Sequence, residues 1–312
     1  MKLVFMGTPE FAVPSLDALL KEGHEVAAVV TQPDRPVGRK RVVTPPPVKL
    51  AAMKNDLRVL QPQKVKDGDF IRVLSEIKPD LIVVVAFGQI LPRTVLDIPL
   101  LGCINVHASL LPRYRGAAPV QWAIINGERV TGVTTMWMDE GLDTGDMFLQ
   151  QTVEIKDEWT ASDLSRELSL VGAGLLIETL RRLESGQQLR IPQDHNRATY
   201  APMLKKEDGK IDWSKKAFEI RNLIRGLHPW PGAYTFSRGQ EIKIWVAETY
   251  PSGKKQAPGR FMGVVKGRGF LVGTGEGCLL VKELQEAGKK KMGALEYLAG
   301  HSLREGDFFA DV

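Results

Sequence analysis

The chain has 312 residues, more than one typical domain, and its 43% hydrophobic and 25% charged residues are typical of a globular protein. A net charge of +5 and a pI near 9.1 allow a polyanionic partner without requiring one. Cys103 and Cys278 lack metal-ligand spacing and are predicted to be reduced thiols. No cleavage site follows the apolar start, and the longest apolar run, residues 81–87, has only a strand's length. We therefore predict a cytoplasmic protein with no membrane span.

Strands and helices alternate through the first part of the chain. Apolar runs predict strands over residues 2–6, 26–30, 58–60 and 80–86, and helices are predicted over residues 11–21 and 70–77. This alternation predicts a Rossmann-like, doubly wound, mostly parallel α/β sheet. Ligands of such sheets bind at the carboxyl ends of the strands.

The first turn of this sheet argues against a dinucleotide. It begins at Gly7 and reads Gly-Thr-Pro-Glu-Phe-Ala, so the second and third glycines of the dinucleotide fingerprint are missing. Thr31 stands after the second strand, where an acidic residue would bind the ribose. NAD is therefore disfavoured.

A long connection, residues 33–47, follows the second strand. It contains five prolines and four basic residues against one acidic residue. Connections of this type usually have about 2–6 residues, and longer ones are usually functional or disordered. Two interpretations stay open: a solvated mobile loop, or a basic arm that contacts phosphates.

Residues 103–146 contain the side chains that are candidates for chemistry. Asn105 and His107 lie two residues apart on a predicted strand and so face the same side of it. A Pro-, Gly- and Arg-rich loop follows at residues 109–116, and a second strand at 130–138 leads to a turn that contains Asp143. An amide, an imidazole and a carboxylate at strand ends are sufficient for acyl transfer.

The last third of the chain has a different character. The first domain closes with a predicted strand at residues 148–155 and a long helix from Thr160 to Gly186. A helix over residues 215–227 then precedes five short predicted strands, which are separated by glycine-rich turns. Residues 207–312 hold 17 basic and 13 acidic side chains, a net charge of +4. We predict a first domain over 1–189, a linker over 190–208, and a small OB-like β-barrel over 209–312.

Three stretches resemble the folate-dependent formyltransferases. They read Ile-Asn-Val-His (104–107), Ser-Leu-Leu-Pro-Arg-Tyr-Arg-Gly (109–116) and Gly-Val-Thr-Thr-Met-Trp-Met-Asp-Glu-Gly-Leu-Asp-Thr-Gly-Asp (132–146). Shorter matches at residues 7–9, 31–36, 38–39, 84–88 and 228–231 make the chain most similar to the branch that formylates methionyl-tRNA.

The resemblance implies a reaction and a catalytic trio. The formyl group of 10-formyltetrahydrofolate would pass to the α-amine of methionyl initiator tRNA, without a metal or a covalent nucleophile. Asn105 and protonated His107 would donate hydrogen bonds to the oxyanion. Asp143 would hold His107 in its charged form and accept the proton of the amine through water.

The resemblance also implies binding residues, and we expect a monomer. The folate would be held by the side chains and backbone of Val85, Ala86, Phe87, Gly88, Ser109, Leu110, Leu111, Pro112, Asp139 and Gly141. Contacts to tRNA are expected from Arg39, Lys40 and Arg41 in the long loop, and from Lys289, Lys290 and Lys291 in the basic C-terminal domain.

Other functions stay open at this point. A sugar-nucleotide N-formyltransferase would use the same trio and the same folate with a different acceptor. A glycinamide ribonucleotide transformylase needs no C-terminal domain, and a deformylase would not explain the basic loop. A non-catalytic RNA-binding protein would use the C-terminal domain alone and leave the sheet as a scaffold.

Overall fold

The structure is a computed structural model that describes residues 1–38, 41–252, 257–304 and 306–309. The chain divides into two compact units. The first comprises Met1–Pro119, Val130–Glu154 and Ser165–Ala201, and the second comprises Val120–Arg129, Ile155–Leu164 and the described residues from Pro202 onward. The domain limits at 189 and 209 stay predictions.

The first unit is built on a seven-stranded sheet in the order β10-β9-β7-β6-β1-β2-β5. Its strands and the short strands around it are β1 (Lys2–Gly7), β2 (Glu25–Val30), β3 (Arg35–Val37), β4 (Val42–Thr44), β5 (Val59–Leu60), β6 (Leu81–Val85), β7 (Cys103–His107), β8 (Arg115–Gly116), β9 (Val130–Trp137), β10 (Met147–Glu154) and β11 (Tyr200–Ala201). Five central strands run parallel, whereas β9 and β10 are antiparallel to their neighbours. The predicted Rossmann-like fold is confirmed.

The helices of the chain are mostly short. They are α1 (Val13–Lys21), α2 (Pro47–Lys54), α3 (Gly68–Ile77), α4 (Arg93–Leu96), α5 (Pro119–Ile125), α6 (Ala161–Glu184), α7 (Ala217–Gly226) and α8 (Ala294–Gly300). The helix predicted from residue 11 starts two residues later, because Glu10–Ala12 forms a 3₁₀ turn. The sequence pattern placed a helix after the 33–47 connection without giving its bounds, and α2 lies there; it did not predict α4, α5 or α8.

The long helix α6 begins and ends as its sequence predicts. Thr160 and Asp163 form a reciprocal cap: the Asp163 carboxylate accepts from the Thr160 amide at 3.0 Å, and the Asp163 amide donates to the Thr160 hydroxyl at 3.4 Å. At the other end Gly186 has a φ of +82°, a conformation that glycine adopts without steric cost. These two local signals fix the limits of the helix.

The long basic connection is more regular than predicted. Strands β3 and β4 pair from Arg35 with Thr44 to Val37 with Val42, and Pro47 already belongs to α2. Val42 and Val43, whose branched side chains favour strands, are 59% and 63% exposed. The described part of the connection therefore forms the β3–β4 hairpin, and its last residue, Pro47, begins α2. Arg39 and Lys40 lie outside the described residues.

The second unit contains an antiparallel sheet, as expected for its C-terminal part. Its strands are β12 (Ala233–Ser237), β13 (Gln240–Tyr250), β14 (Phe261–Val265), β15 (Gly269–Gly273), β16 (Cys278–Glu286) and β17 (Met292–Gly293). The order is β12-β13-β16-β15-β14, and β17 also pairs with β16. Arg238 and Gly239, both with positive φ, form the two-residue turn that such hairpins favour.

Each unit has a buried core of its own. Apolar side chains of the parallel strands and of α3 form one, and the antiparallel sheet with α7 and α8 forms another. Within the ranges that the structure describes, no helix is both long enough and apolar enough to cross a membrane.

The core of the second unit allows a test with neighbouring phenylalanines. Phe309 is 2% exposed and its ring stacks on Phe270 at 5.5 Å, whereas Phe308 is 54% exposed. We expect Phe309→Ala to lower the free energy of unfolding by about 3–5 kcal/mol, because the deletion leaves a cavity. Phe308→Ala should change it by less than about 0.5 kcal/mol. Urea denaturation of both variants measures the difference; equal losses would contradict the assignment of this core.

Candidate active site

The three residues predicted to be catalytic lie together in the first unit. Asn105 and His107 are both on β7, and Asp143 is in the turn between β9 and β10. The Asn105 side-chain amide donates to Asp143 Oδ1 at 3.4 Å, and His107 Nδ1 lies 3.7 Å from Asp143 Oδ2. Two side chains of one strand face therefore meet one carboxylate.

The surroundings of His107 determine where its protons lie. Its ring is 6% exposed, and Nε2 is 2.9 Å from the carbonyl oxygen of Tyr114. A carbonyl oxygen only accepts, so Nε2 must carry hydrogen and donate. The nitrogen that can gain or lose a proton is then Nδ1, which faces Asp143.

The contacts of Asp143 are uneven. Its Oδ2 accepts a short hydrogen bond of 2.8 Å from the amide of Gly116. The contacts of 3.4 and 3.7 Å to Asn105 and His107 are longer than the usual N–H···O distance of about 2.9 Å. Gly116 therefore makes the shortest of these three contacts to the carboxylate.

The turn that holds Asp143 is tightly built. The carboxylate of Asp139 accepts from the amide of Gly141 at 3.0 Å and from the hydroxyl of Thr144 at 2.7 Å. A side chain at Gly141 would overlap the Thr144 hydroxyl, and one at Gly145 would overlap a backbone carbonyl of β9. Asp139 and Gly141 thus shape the turn; their contact with a pterin stays a prediction.

The loop after β7 is held to the neighbouring strand β9. Ser109 is fully buried and its hydroxyl donates to the carbonyl of Arg113 at 2.6 Å. The Thr134 hydroxyl donates to the Ser109 carbonyl at 2.7 Å, and the Leu111 amide donates to the same hydroxyl at 3.2 Å. The Ser109 side chain and the Leu111 amide are therefore engaged within the protein, and their contact with folate stays a prediction.

The remaining predicted folate residues are more accessible. Leu110 and Pro112 are half-buried, and Ala86 and Gly88 are exposed at the carboxyl end of β6 with φ of +47° and +87°. Phe87 between them is buried. The last residue of the strand, Val85, is also fully buried. Of this set, Ala86, Gly88, Leu110 and Pro112 therefore have solvent-accessible surface.

Two groups next to the trio were not recognised from sequence. Arg115, in the motif at residues 109–116, is 2% exposed, and its Nε and Nη2 donate to Gln193 Oε1 at 3.1 and 2.6 Å. Gln193 belongs to the stretch predicted as a linker. The family-like loop marks Arg115 in the sequence, whereas no local pattern marks Gln193.

The basic side chains predicted to bind tRNA are in several environments. Arg41 is exposed in the hairpin turn, and Lys290 is exposed in the second unit. Lys289 forms an ion pair with the buried carboxylate of Glu286 at 2.6 Å. The Lys291 ammonium lies 4.0 Å from the centre of the Trp245 ring, a cation–π contact.

Other kinds of site find little support. Among the described residues, no group of three or more His, Cys, Asp or Glu side chains is placed to hold a metal ion. Burial raises the pKa of the Cys103 thiol to about 12. A thiol with this pKa is not a nucleophile at neutral pH.

Comparisons with known proteins agree across the whole chain. The family model "Formyl transferase" matches residues 1–180, and "Formyl transferase, C-terminal domain" matches residues 203–302. A methionyl-tRNA formyltransferase of Acetivibrio thermocellus is 52% identical over 308 residues, covering 98% of this chain and 99% of that protein. One from Halalkalibacterium halodurans is 54% identical over 301 residues, covering 96% and 95%.

Solved structures share the fold at lower identity. An N-formyltransferase from Helicobacter canadensis, in complex with folinic acid and dTDP-3-aminofucose, has a TM-score of 0.69 at 22% identity and covers 92% of this chain and 99% of that one. HypX from Aquifex aeolicus with tetrahydrofolic acid has a TM-score of 0.65 at 19% identity, covering 100% and 51%.

The tight turn around Asp143 leads to a glycine test. We expect Gly145→Ala to destabilise the protein by about 1–3 kcal/mol, because the added methyl group overlaps the Trp137 carbonyl. The control is Gly174→Ala in α6, where nothing lies within 4 Å and alanine should stabilise by about 0.5–1 kcal/mol. Denaturant unfolding measures both changes; a stable Gly145→Ala protein would show that the turn can widen.

Proposed function

Because the chain belongs to the formyltransferase family, and within it to the methionyl-tRNA formyltransferases, we propose that Asn105, His107 and Asp143 perform its reaction. The enzyme transfers the formyl group of 10-formyltetrahydrofolate to the α-amine of methionyl-tRNA. The observation that carries the proposal is the convergence of Asn105 Nδ2 and His107 Nδ1 on one carboxylate.

The two donors of β7 suit a developing oxyanion. In acyl transfer, negative charge grows on the carbonyl oxygen, and preorganised N–H groups stabilise it. Asn105 and His107 supply two such groups from one rigid strand. Their long contacts to Asp143 leave them able to donate to a formyl oxygen instead.

Asp143 has a separate task. Its carboxylate lies beside the only His107 nitrogen that can exchange a proton, and Gly116 holds it in place. It is therefore placed to pair with a proton on that ring and to accept, through water, the proton that the attacking amine loses. The bond between the formyl carbon and the folate nitrogen then breaks, and tetrahydrofolate leaves with the proton that the amine lost; no covalent intermediate on the protein is needed.

The folate donor, when bound, supplies an activated formyl carbon. The accessible backbone at Ala86 and Gly88 offers amide and carbonyl groups at the carboxyl end of β6, where ligands of such sheets bind. Leu110 and Pro112 add half-buried apolar surface, which suits a ring system. We propose these four residues as the part of the predicted folate site that touches the ligand.

We infer that the acceptor is the methionyl initiator tRNA and that the enzyme acts in the cytoplasm, where charged tRNA is used. Support comes from the names of the curated relatives and from the net charge of +4 over residues 207–312. The basic hairpin with Arg41 offers a second contact region. A monomer stays a prediction.

A formylation assay tests this proposal. Purified protein, 10-formyltetrahydrofolate and charged tRNA should yield formylmethionyl-tRNA with initiator but not with elongator methionyl-tRNA. A sugar nucleotide with a free amine is the competing acceptor, and only a shared fold at 22% identity favours it. Formylation of the sugar nucleotide but not of the tRNA would reject the proposal.

Loss of either oxyanion donor should abolish most activity. We expect Asn105→Ala and His107→Ala each to lower kcat about 100- to 1,000-fold, the usual effect of removing one such donor. Affinity for tRNA should stay within about twofold, because neither side chain is among those proposed to contact RNA. Asn55→Ala, at an exposed helix end, is the control. Single-turnover kinetics and filter binding separate the two effects; unchanged rates would exclude these residues from catalysis.

The lysines of the second unit should contribute charge rather than chemistry. We expect the double variant Lys290→Ala/Lys291→Ala to weaken tRNA binding and to reduce the slope of log K against log salt by about one per lost phosphate contact. The rate at saturating tRNA should not change. The double variant Lys64→Ala/Lys66→Ala, at two exposed lysines of the first unit, is the matched control. A salt slope equal to that of the unaltered protein would contradict the assignment.

A further inference from the structure

A segment of the first unit, residues 189–201, lies against the loop at residues 109–116 and against the turn that contains Asp143. We call this segment the strap. One end is attached to the strands next to the Asp143 turn. The indole N–H of Trp137 donates to the Leu189 carbonyl at 2.8 Å, and Met147 and Ile191 exchange two backbone hydrogen bonds of 2.9 and 3.0 Å. Although sequence predicted a linker here, the strap is bonded along its length.

Gln193, in the middle of the strap, binds the backbone of the Asp143 turn. Its side chain is 5% exposed, and Nε2 donates to the carbonyl oxygens of Asp143 at 2.9 Å and of Gly145 at 2.7 Å. The two hydrogens of one amide thus bind two carbonyls on either side of Thr144. Asp143 itself has a φ of +53°, in the left-handed region that residues with a side chain adopt less readily than glycine.

Arg115 fixes the orientation of that amide. A guanidinium has only donors, so the atom of Gln193 that receives two of its N–H groups, at 3.1 and 2.6 Å, must be the oxygen. The nitrogen then has to face the Asp143 turn. Nη2 of Arg115 also lies 3.2 Å from His195 Nδ1, a second residue of the strap.

The far end of the strap is hydrogen-bonded to Tyr114, the residue whose carbonyl orients His107. The hydroxyl of Thr199 accepts a hydrogen bond from the Tyr114 amide at 2.8 Å. The backbone carbonyl of Thr199 accepts one from the Arg115 amide at 2.9 Å. The carbonyl of the same Tyr114 is the acceptor for His107 Nε2. One continuous segment therefore touches the support of His107 and the support of Asp143.

We propose that Gln193 is a positioning residue of the formyl transfer, which sets the place of the Asp143 carboxylate opposite His107 Nδ1. The inference rests on the proposed function of the trio. Gln193 is hydrogen-bonded to the backbone carbonyl of Asp143, and so acts on the backbone of that residue. Its loss should therefore lower the rate of the chemical step and leave binding of folate and tRNA unaffected.

The test is Gln193→Glu, which keeps the size of the side chain and its acceptor for Arg115. The second oxygen of the new carboxylate would face the carbonyls of Asp143 and Gly145, to which it cannot donate. We expect kcat per folded molecule to fall at least about tenfold, with both KM values within about threefold. Gln188→Glu, an exposed glutamine one residue before the strap, is the control and should behave as the unaltered protein.

A second readout does not depend on activity. The ¹⁵N resonances of the His107 ring report its surroundings, and they should move in Gln193→Glu without any substrate present. A kcat within about twofold of the unaltered protein, or a reduced kcat with unmoved His107 resonances, would overturn the proposal. If Gln193→Glu does not fold, Gln193→Met, which removes the donors to the Asp143 and Gly145 carbonyls without adding a charge, is held to the same two criteria.

Failure of the inference is distinguishable from failure of the proposed function. If the unaltered protein does not formylate methionyl-tRNA, the function is wrong, while the His107 resonances still decide whether Gln193 positions Asp143. If the unaltered protein is active and Gln193→Glu matches it, only the positioning role is wrong.

Discussion

The proposed active site depends on one arrangement: the Asp143 carboxylate, which belongs to a turn, lies beside two side chains of a neighbouring strand. Strand geometry alone places the two side chains, because residues two apart, such as Asn105 and His107, lie on one face of β7. The carboxylate is harder to place, since Asp143 needs a left-handed backbone. The surrounding turn supplies that geometry through Asp139 and through Gly145, which leaves no room for a side chain. Several residues of this turn thus help to place the two carboxylate oxygens of Asp143.

How far sequence could predict this differs from one feature to the next. Continuous apolar runs identified the parallel strands, because strands buried on both faces have no polar side. The trio followed from spacing and resemblance. Gln193 could not be found in this way, since its hydrogen bonds join residues about 50 positions apart in a stretch without periodicity. The same holds for Arg115, whose burial depends on partners in that stretch.

The basic connection shows a second limit. Its prolines and charges predicted a loop, and length alone indicated function. Cross-strand pairing of Arg35 with Thr44 instead gives the described part a hairpin. Prolines and charges in a sequence favour turns, but they do not determine whether the residues on the two sides of a turn, here β3 and β4, pair as strands. Pairing depends on register, which short strands specify weakly.

The bond between His107 Nε2 and the Tyr114 carbonyl has a consequence for proton traffic. A histidine with both nitrogens accessible can take a proton on one side and release it on the other. Here one side is closed, because its hydrogen is already committed to a backbone acceptor in a buried setting. In the proposed reaction, a proton bound at Nδ1 would therefore leave from the same nitrogen, beside Asp143. The ring is then held with one nitrogen, Nδ1, toward Asp143, and proton exchange at this histidine is confined to that side.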